Sequence, residues 1–451
     1  MPGHPLGDLL HQWLAESRRA IADGLTVVLE RFERHGGAYP YIDMKLRARD
    51  GVELEALAGP ETDFRSRSAV FGWIQGRGLE ALAGHADHLA VVAPALAQRS
   101  DRMLAAVAER ILDLGRRHGG RYHFLYDLDG RPFTIGGDGS RVHADPSARP
   151  PGFADLFVGK GLAAAGRRLA RPELLEAGAQ TLRRAAAAIA DGSFRSDQVS
   201  FDPKNPMHDD PRIQRQGSRM IMLGAMALML RLQPGEEEWR RIGAACLRHV
   251  LDVHVVSTAG GGLRELDFVE QCDPAGAPWR DAGRILQDPG HALEFTGLAA
   301  RFLLALGDGR NLPADAAGLA ARSREVLPRI FLAAFANGFQ PGPGGICKSF
   351  DLVARQPIND DMPWWSLSES MRAAALLARL APDHPERGRV LAAGADCAVA
   401  LFGRYRSAIP GIFVQTRDAS GEVVDVVPAT PDADPGYHTG LCLIDVVEAG
   451  G

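Results

Sequence analysis

Residues 288–294 read Asp-Pro-Gly-His-Ala-Leu-Glu, the pattern of a helix start. A Pro-Gly turn delivers His291 and Glu294 three residues apart, so both project from one face of the first helical turn. A histidine there can titrate near neutral pH, and a carboxylate on its face can orient its ring. Proton transfer is one expectation for this turn; a capped helix with a surface histidine is the other. Three further stretches hold residues that could act with it: Trp73-Ile74-Gln75-Gly76-Arg77, Trp364-Trp365 followed by Glu369, and Pro435-Gly436-Tyr437-His438. Taken singly, Arg77 suits an ion pair, the tryptophans suit a core, and Glu369 suits a solvated face.

The elements that must position these residues repeat along the chain. A long Ala/Leu-rich helical stretch ends at a glycine turn, a short extended stretch follows, and a second amphipathic helix completes the unit. The turn glycines Gly37, Gly120, Gly192, Gly262, Gly345 and Gly411 recur at roughly 65–85 residues, a repeat-architecture signal. The predicted pairs are 5–33 with 68–83, 86–118 with 152–169, 172–191 with 212–233, 236–257 with 290–307, 313–336 with 364–381, and 385–405 with 437–448. Arg171-Pro172-Glu173, Leu312-Pro313 and Pro382-Asp383 suit helix starts. Strand-like patches such as 122–127 and 412–416 are expected as short hairpins at one end. Six pairs predict an all-α (α/α)6 barrel, with an open superhelix as the alternative. The second helices are the more apolar and are placed inside. Their first turns then converge on one mouth, where two histidines, an arginine, two carboxylates and aromatic planes could line a sugar-sized pocket.

Residues 1–451 are expected to form a single catalytic domain. A net charge of −5 lacks the basic footprint of a nucleic-acid binder. No apolar run approaches the roughly 18 residues that span a bilayer, and the first residues show no basic region followed by an apolar core. The five cysteines are scattered, with no CxxC pair or zinc-ligand spacing, as in a reduced cytoplasmic protein.

Together the motifs resemble those of the N-acylglucosamine 2-epimerase family, which includes cellobiose 2-epimerases and aldose–ketose isomerases such as mannose isomerase. The resemblance runs from His35-Gly36-Gly37 to the C-terminal helix. It is carried by the Trp73–Arg77 run, Asp129-Gly130-Arg131-Pro132, the 288–294 turn, Trp364-Trp365-Ser366-Leu367-Ser368-Glu369, and Gly436-Tyr437-His438. It implies an (α/α)6 barrel and proton transfer at C2 of an open-chain N-acetylhexosamine or hexose, without metal or redox cofactor. It implies His291 and His438 as the acid/base pair and Arg77 as the group facing the developing oxyanion. Glu294 and Glu369 would contact substrate or orient the histidines, with Trp364 and Trp365 as sugar-binding planes. It also raises a homodimer and ATP as an effector. The run Ala154 to Lys160 ends in Gly-Lys but lacks the first glycine of a P-loop, and Gly161 stands in the Ser/Thr position.

The chain departs from the family pattern at three places. Arg219-Met220-Ile221-Met222 occupies the third inner helix where many sugar-isomerase and cellobiose-epimerase members carry a histidine. Pro363 replaces a lysine before the tryptophan pair, and Leu441 replaces an arginine after His438. These changes leave the two-histidine chemistry in place and keep three other readings open. One is an aldose–ketose isomerase and one a non-catalytic sugar-binding member. The third is a glycoside hydrolase using Asp155 with Asp360 or Asp361, which needs paired carboxylates across a scissile bond.

Overall fold

Helices alternate in sequence between an outer and an inner position around a ring. The computed structural model describes residues 6–57, 59–136, 140–143, 149–198, 210–307, 317–426 and 430–450. Among them the pairs are α1 (Leu6–His35) with α2 (Gly72–Leu89), α3 (Pro94–Arg117) with α4 (Phe153–Arg168), and α5 (Pro172–Asp191) with α6 (Gly217–Leu232). The remaining pairs are α7 (Glu237–His249) with α8 (Pro289–Ala305), α9 (Ala317–Gly338) with α10 (Trp365–Leu380), and α11 (Arg387–Arg404) with α12 (Cys442–Gly450). Each even-numbered helix packs on the next, and the turn Tyr437–Leu441 before α12 returns onto α2. The ring is therefore closed, an (α/α)6 barrel rather than a superhelix.

Composition separates the two layers. Every residue from Met220 to Leu230 of α6 is buried, as expected of a helix that is apolar all round. Outer helices such as α3 and α7 bury a stripe and leave charged residues in solvent. Glycines set the closest inner contact. A Cβ on Gly76 would lie 2.4 Å from the carbonyl carbon of Phe157, and one on Gly161 would lie 2.4 Å from the Gly76 oxygen. Only hydrogen at these positions lets α2 and α4 approach so closely, which brings Arg77 against Phe157.

Short strands lead into the inner helices: Ala69–Phe71 into α2, Gln214–Arg215 into α6, Leu286–Gln287 into α8 and Met362–Pro363 just ahead of α10. The decorated end is thus the mouth where the inner helices begin. The short hairpins expected at one end are present, and some are extended into small sheets. Ala69–Phe71 heads a four-stranded antiparallel sheet with Leu125–Asp127, Pro132–Ile135 and Arg141–His143. Ser349–Asp351 lies between Gln356–Asn359 and Leu286–Gln287. An unpaired edge left before one inner helix is completed by the loop of the next repeat. Of the 412–416 patch, Thr416 pairs with Pro363 and Phe413 forms an isolated bridge with Arg406.

Several boundaries also differ. Helix α2 runs on to Leu89, absorbing the start of the predicted 86–118 helix, and Pro94 begins α3 afresh. Pro382-Asp383 lies in a turn, and α11 starts at Arg387. Leu312-Pro313 falls outside the described residues. All five cysteines are buried and unpaired. No helix among the described residues is long and apolar enough to cross a membrane.

Candidate active site

A cavity of about 710 Å³ opens at this mouth, lined by first-turn residues of α2, α4, α6, α8 and α10 and by His438. Its size falls within the range of small-molecule pockets.

His291 sits in the first turn of α8. Asp288 caps the helix: its Oδ1 accepts from the His291 backbone N–H at 3.2 Å. The ring Nδ1 faces two carboxylates, Glu270 Oε1 at 3.1 Å and Asp288 Oδ2 at 3.3 Å. Lys348 Nζ donates to Asp288 Oδ2 at 2.6 Å, and Gln216 Nε2 donates to Glu270 Oε2 at 3.3 Å. Burial disfavours the imidazolium, yet Asp288 and then Glu270 outweigh it and raise the His291 pKa to about 9. The expectation that Glu294 orients this ring is corrected. Glu294 lies one helical turn deeper, and Nδ1 points back toward the loop that carries Glu270.

His438 occupies a π-helical turn, Tyr437–Leu441, rather than the first turn of α12 itself. Gly436 takes φ +88°, a left-handed conformation open to glycine, at the entry to this turn. Asp434 then accepts from the backbone N–H groups of Tyr437, His438 and Thr439 at 2.9, 3.2 and 2.8 Å. His438 Nδ1 lies 3.0 Å from Glu369 Oε1, and Arg372 pairs with the other Glu369 oxygen. Burial lowers the His438 pKa to about 3, helped by Arg77 and opposed by Glu294 and Asp434.

The two histidines therefore share a plan: each is backed by a carboxylate, and each carboxylate by a cation. Their charge states differ because His291 has a second carboxylate in Glu270, whereas His438 is more deeply buried and feels Arg77 and Arg372. The Trp365 ring neighbours both, 5.4 Å from His291 and 5.8 Å from His438 between centroids. Trp364 meets His438 edge-on at 6.3 Å, and its Nε1 donates to Thr439 Oγ1 at 3.2 Å.

Arg77 lies over the Phe157 ring at 4.2 Å and near the Trp73 and Tyr437 rings at 5.3 and 5.5 Å. Its Nε is buried with no hydrogen-bond partner, and burial lowers its pKa against the pull of Tyr437 and Glu294. A guanidinium held by aromatic faces and, among the described residues, lacking a paired carboxylate is poised for a negative group supplied from the cavity.

Arg77, His291, Glu294, Trp364, Trp365 and His438 all line the cavity. Glu369 does not: it is fully buried behind His438, so the expectation that it binds substrate narrows to holding the His438 ring. Glu294 stands beside it; burial and then the neighbouring Glu369 raise the Glu294 pKa. Ligand atoms of Glu294, Glu369 and His438 lie within 4.8 Å of one another, a spacing that could hold a cation. Within that group Glu369 is already engaged by His438 and Arg372. Glu270 and Lys348 also line the cavity and were not anticipated. Asp155 caps α4 through Gly152 N–H at 3.0 Å, and neither it nor Asp360 nor Asp361 lines the cavity, which leaves the hydrolase reading without its carboxylate pair. Lys160 is inside α4, bonded to Tyr437 OH at 2.7 Å and Glu80 at 2.9 Å.

A closed ring of helical hairpins with an aromatic, histidine-bearing pocket at its mouth defines a carbohydrate-active (α/α)6-barrel protein. The chain belongs to the N-acylglucosamine 2-epimerase family, whose model matches residues 161–442. It is an enzyme of the carbohydrate epimerase and isomerase class. Its fold is similar to that of a sugar epimerase from a ruminal bacterium, at 12% identity over 97% of this chain and 99% of that one with a TM-score of 0.66. It is similar to that of a D-mannose isomerase, at 15% identity over 94% and 97% with a TM-score of 0.64. It is also similar to that of a cellobiose 2-epimerase from Spirochaeta thermophila, at 14% identity over 99% of both chains with a TM-score of 0.63. No curated protein matches the chain.

Proposed function

We propose that the chain interconverts an open-chain aldose, an N-acetylhexosamine or a hexose, with its 2-epimer or its ketose by histidine-mediated transfer of the C2 proton. The observation that carries this reading is the pair of histidines neighbouring one indole, with pKa values of about 9 and about 3. At neutral pH one is an imidazolium and the other a free base, the pairing that general acid–base catalysis needs.

In the proposed sequence the sugar stacks on Trp365 with C2 between the rings. Glu369 accepts from Nδ1–H of His438, which leaves the Nε2 lone pair free to take the C2 proton. The electron pair of the broken C–H bond moves into a C1–C2 double bond, and the C1 oxygen becomes negative. Arg77 stabilises that oxygen electrostatically in a site of low polarity. His291, with Nδ1–H directed at Glu270 and Asp288, donates its Nε2 proton. Delivery to the opposite face of C2 gives the 2-epimer; in a hexose, which has a hydroxyl at C2, delivery to C1 with loss of that hydroxyl proton gives the ketose. Lys348 and Arg372 bring cations to the two histidine–carboxylate pairs although Pro363 and Leu441 lack the charges of the family pattern.

The test is a screen in D2O, followed by NMR, of N-acetylglucosamine, N-acetylmannosamine, mannose, glucose, fructose and cellobiose. Deuterium entering C2 of at least one sugar supports the reading and identifies the outcome. Tight binding of a sugar with no exchange would instead favour a non-catalytic sugar-binding protein.

A further inference from the structure

Among the described residues, Arg77 and Arg219 line the cavity without a carboxylate in ion-pair contact, and the proposed chemistry uses the first of them. The second is Arg219, in the first turn of α6, where it lines the cavity with Ser218, Met220 and His249. Its one hydrogen bond among the described residues goes to the Ile189 carbonyl at 3.3 Å. Burial lowers its pKa, and among the described residues no carboxylate forms an ion pair with it. The described carboxylates nearest in sequence to this end of the cavity are engaged elsewhere. Asp210 pairs with Arg212 at 2.7 Å, and Asp191 accepts from Ser193 N–H at 2.8 Å.

His249 adds a second unsatisfied group. Its Nε2 is buried and has no partner, and burial beside Arg219 lowers its pKa to about 4, so it is a neutral ring able to donate one N–H. The first turn of α6 carries no acidic residue and no side-chain cap, so its dipole is not neutralised there. A half-buried arginine without a counter-ion is costly unless a ligand supplies the charge. The position also fits a substrate. Around the ring α6 is the third inner helix and the turn bearing His438 leads into the sixth, so the two face each other across the cavity. A sugar that spans the cavity with C2 at His438 would bring its distal carbons to α6.

We propose that Arg219, with His249 Nε2 and the α6 first turn, forms a subsite for an anionic group on the end of the sugar remote from C1–C2, a phosphate ester or a carboxylate. This rests on the epimerase and isomerase reading for the position of C2. It names the substrate class: an acidic rather than a neutral aldose.

The experiment compares mannose, mannose 6-phosphate and mannuronate as substrates for C2 exchange in D2O, at low ionic strength, and as ligands by calorimetry. Charge-assisted contacts of this kind favour the anionic sugar by about tenfold to a hundredfold in kcat/KM. The Arg219→Gln variant is expected to lose most of that ratio and Arg219→Lys to keep part of it. A preference for the phosphate ester or for the carboxylate identifies the group bound. Exchange on mannose with no gain from either anionic sugar would overturn the subsite while leaving the two-histidine reading intact, and this comparison needs no variant. An Arg219-dependent calorimetric preference for an anionic sugar, without exchange on any sugar, would support the subsite and overturn the catalytic reading. A ratio unchanged in Arg219→Gln would overturn the role of Arg219.

Discussion

Replacing Glu270 by glutamine should move the alkaline limb of the pH–rate profile downward without removing activity. The His291 pKa rises from the ordinary 6.5 to about 9, a differential interaction of a few kcal/mol at about 1.36 kcal/mol per unit. That net gain is what two carboxylates, at 3.1 and 3.3 Å from Nδ1, contribute beyond the opposing burial and Lys348. Glu270→Gln removes one of them and keeps a hydrogen-bond acceptor in place. Asp288→Asn is a poorer probe, because Asp288 also caps α8 and holds Lys348. A group with a raised pKa loses its proton as pH climbs through that value, so the wild-type limb falls near pH 9. In Glu270→Gln the acid form of His291 is lost earlier, and the limb shifts down by about one to two pH units. The assay is kcat/KM for the responsive sugar from about pH 5 to about pH 10. A limb that stays near its wild-type position in an active variant would refute the assignment of His291 as the acid.

Three other perturbations follow from the geometry. Arg77→Met should reduce kcat by about 10²–10³-fold with a smaller change in KM, because its role is to stabilise charge that develops only in the transition state; equal loss from KM alone would contradict this. Gly76→Ala places a methyl 2.4 Å from the Phe157 backbone and should destabilise the protein by about 1–3 kcal/mol or more in a denaturant titration, with a wild-type midpoint as the contrary result. Extended dialysis against a chelator should leave kcat unchanged, since Glu369 already serves His438 and Arg372; loss restored by a divalent ion would make Glu294, Glu369 and His438 a metal site.

The parts legible in sequence were those encoded locally. Recurrent glycines marked the repeats, although Gly345 opens a short strand just after the turn, the apolar second helices marked the inner ring, and the Pro-Gly-His turn placed His291 at a helix start. Arg77 and the tryptophans were legible because their motifs begin inner helices. What escaped was whatever depended on contacts distant in sequence. Glu270 reaches His291 from 21 residues away, and Lys348 reaches Asp288 from 60, both from loops with no periodicity. Glu294 shares a helix face with His291 by spacing, but the depth of one turn moves it to His438. The opposite charge states of the two histidines arise from burial and from Arg77, Arg372, Asp288 and Glu270 acting through space, which no motif records.

The measurement that bears most directly on the two-histidine account is solvent-deuterium incorporation at C2 in the His291→Ala and His438→Ala variants, with circular dichroism confirming the fold of each. The account predicts that either substitution abolishes incorporation into a sugar the wild type labels. Wild-type incorporation in either folded variant would contradict it.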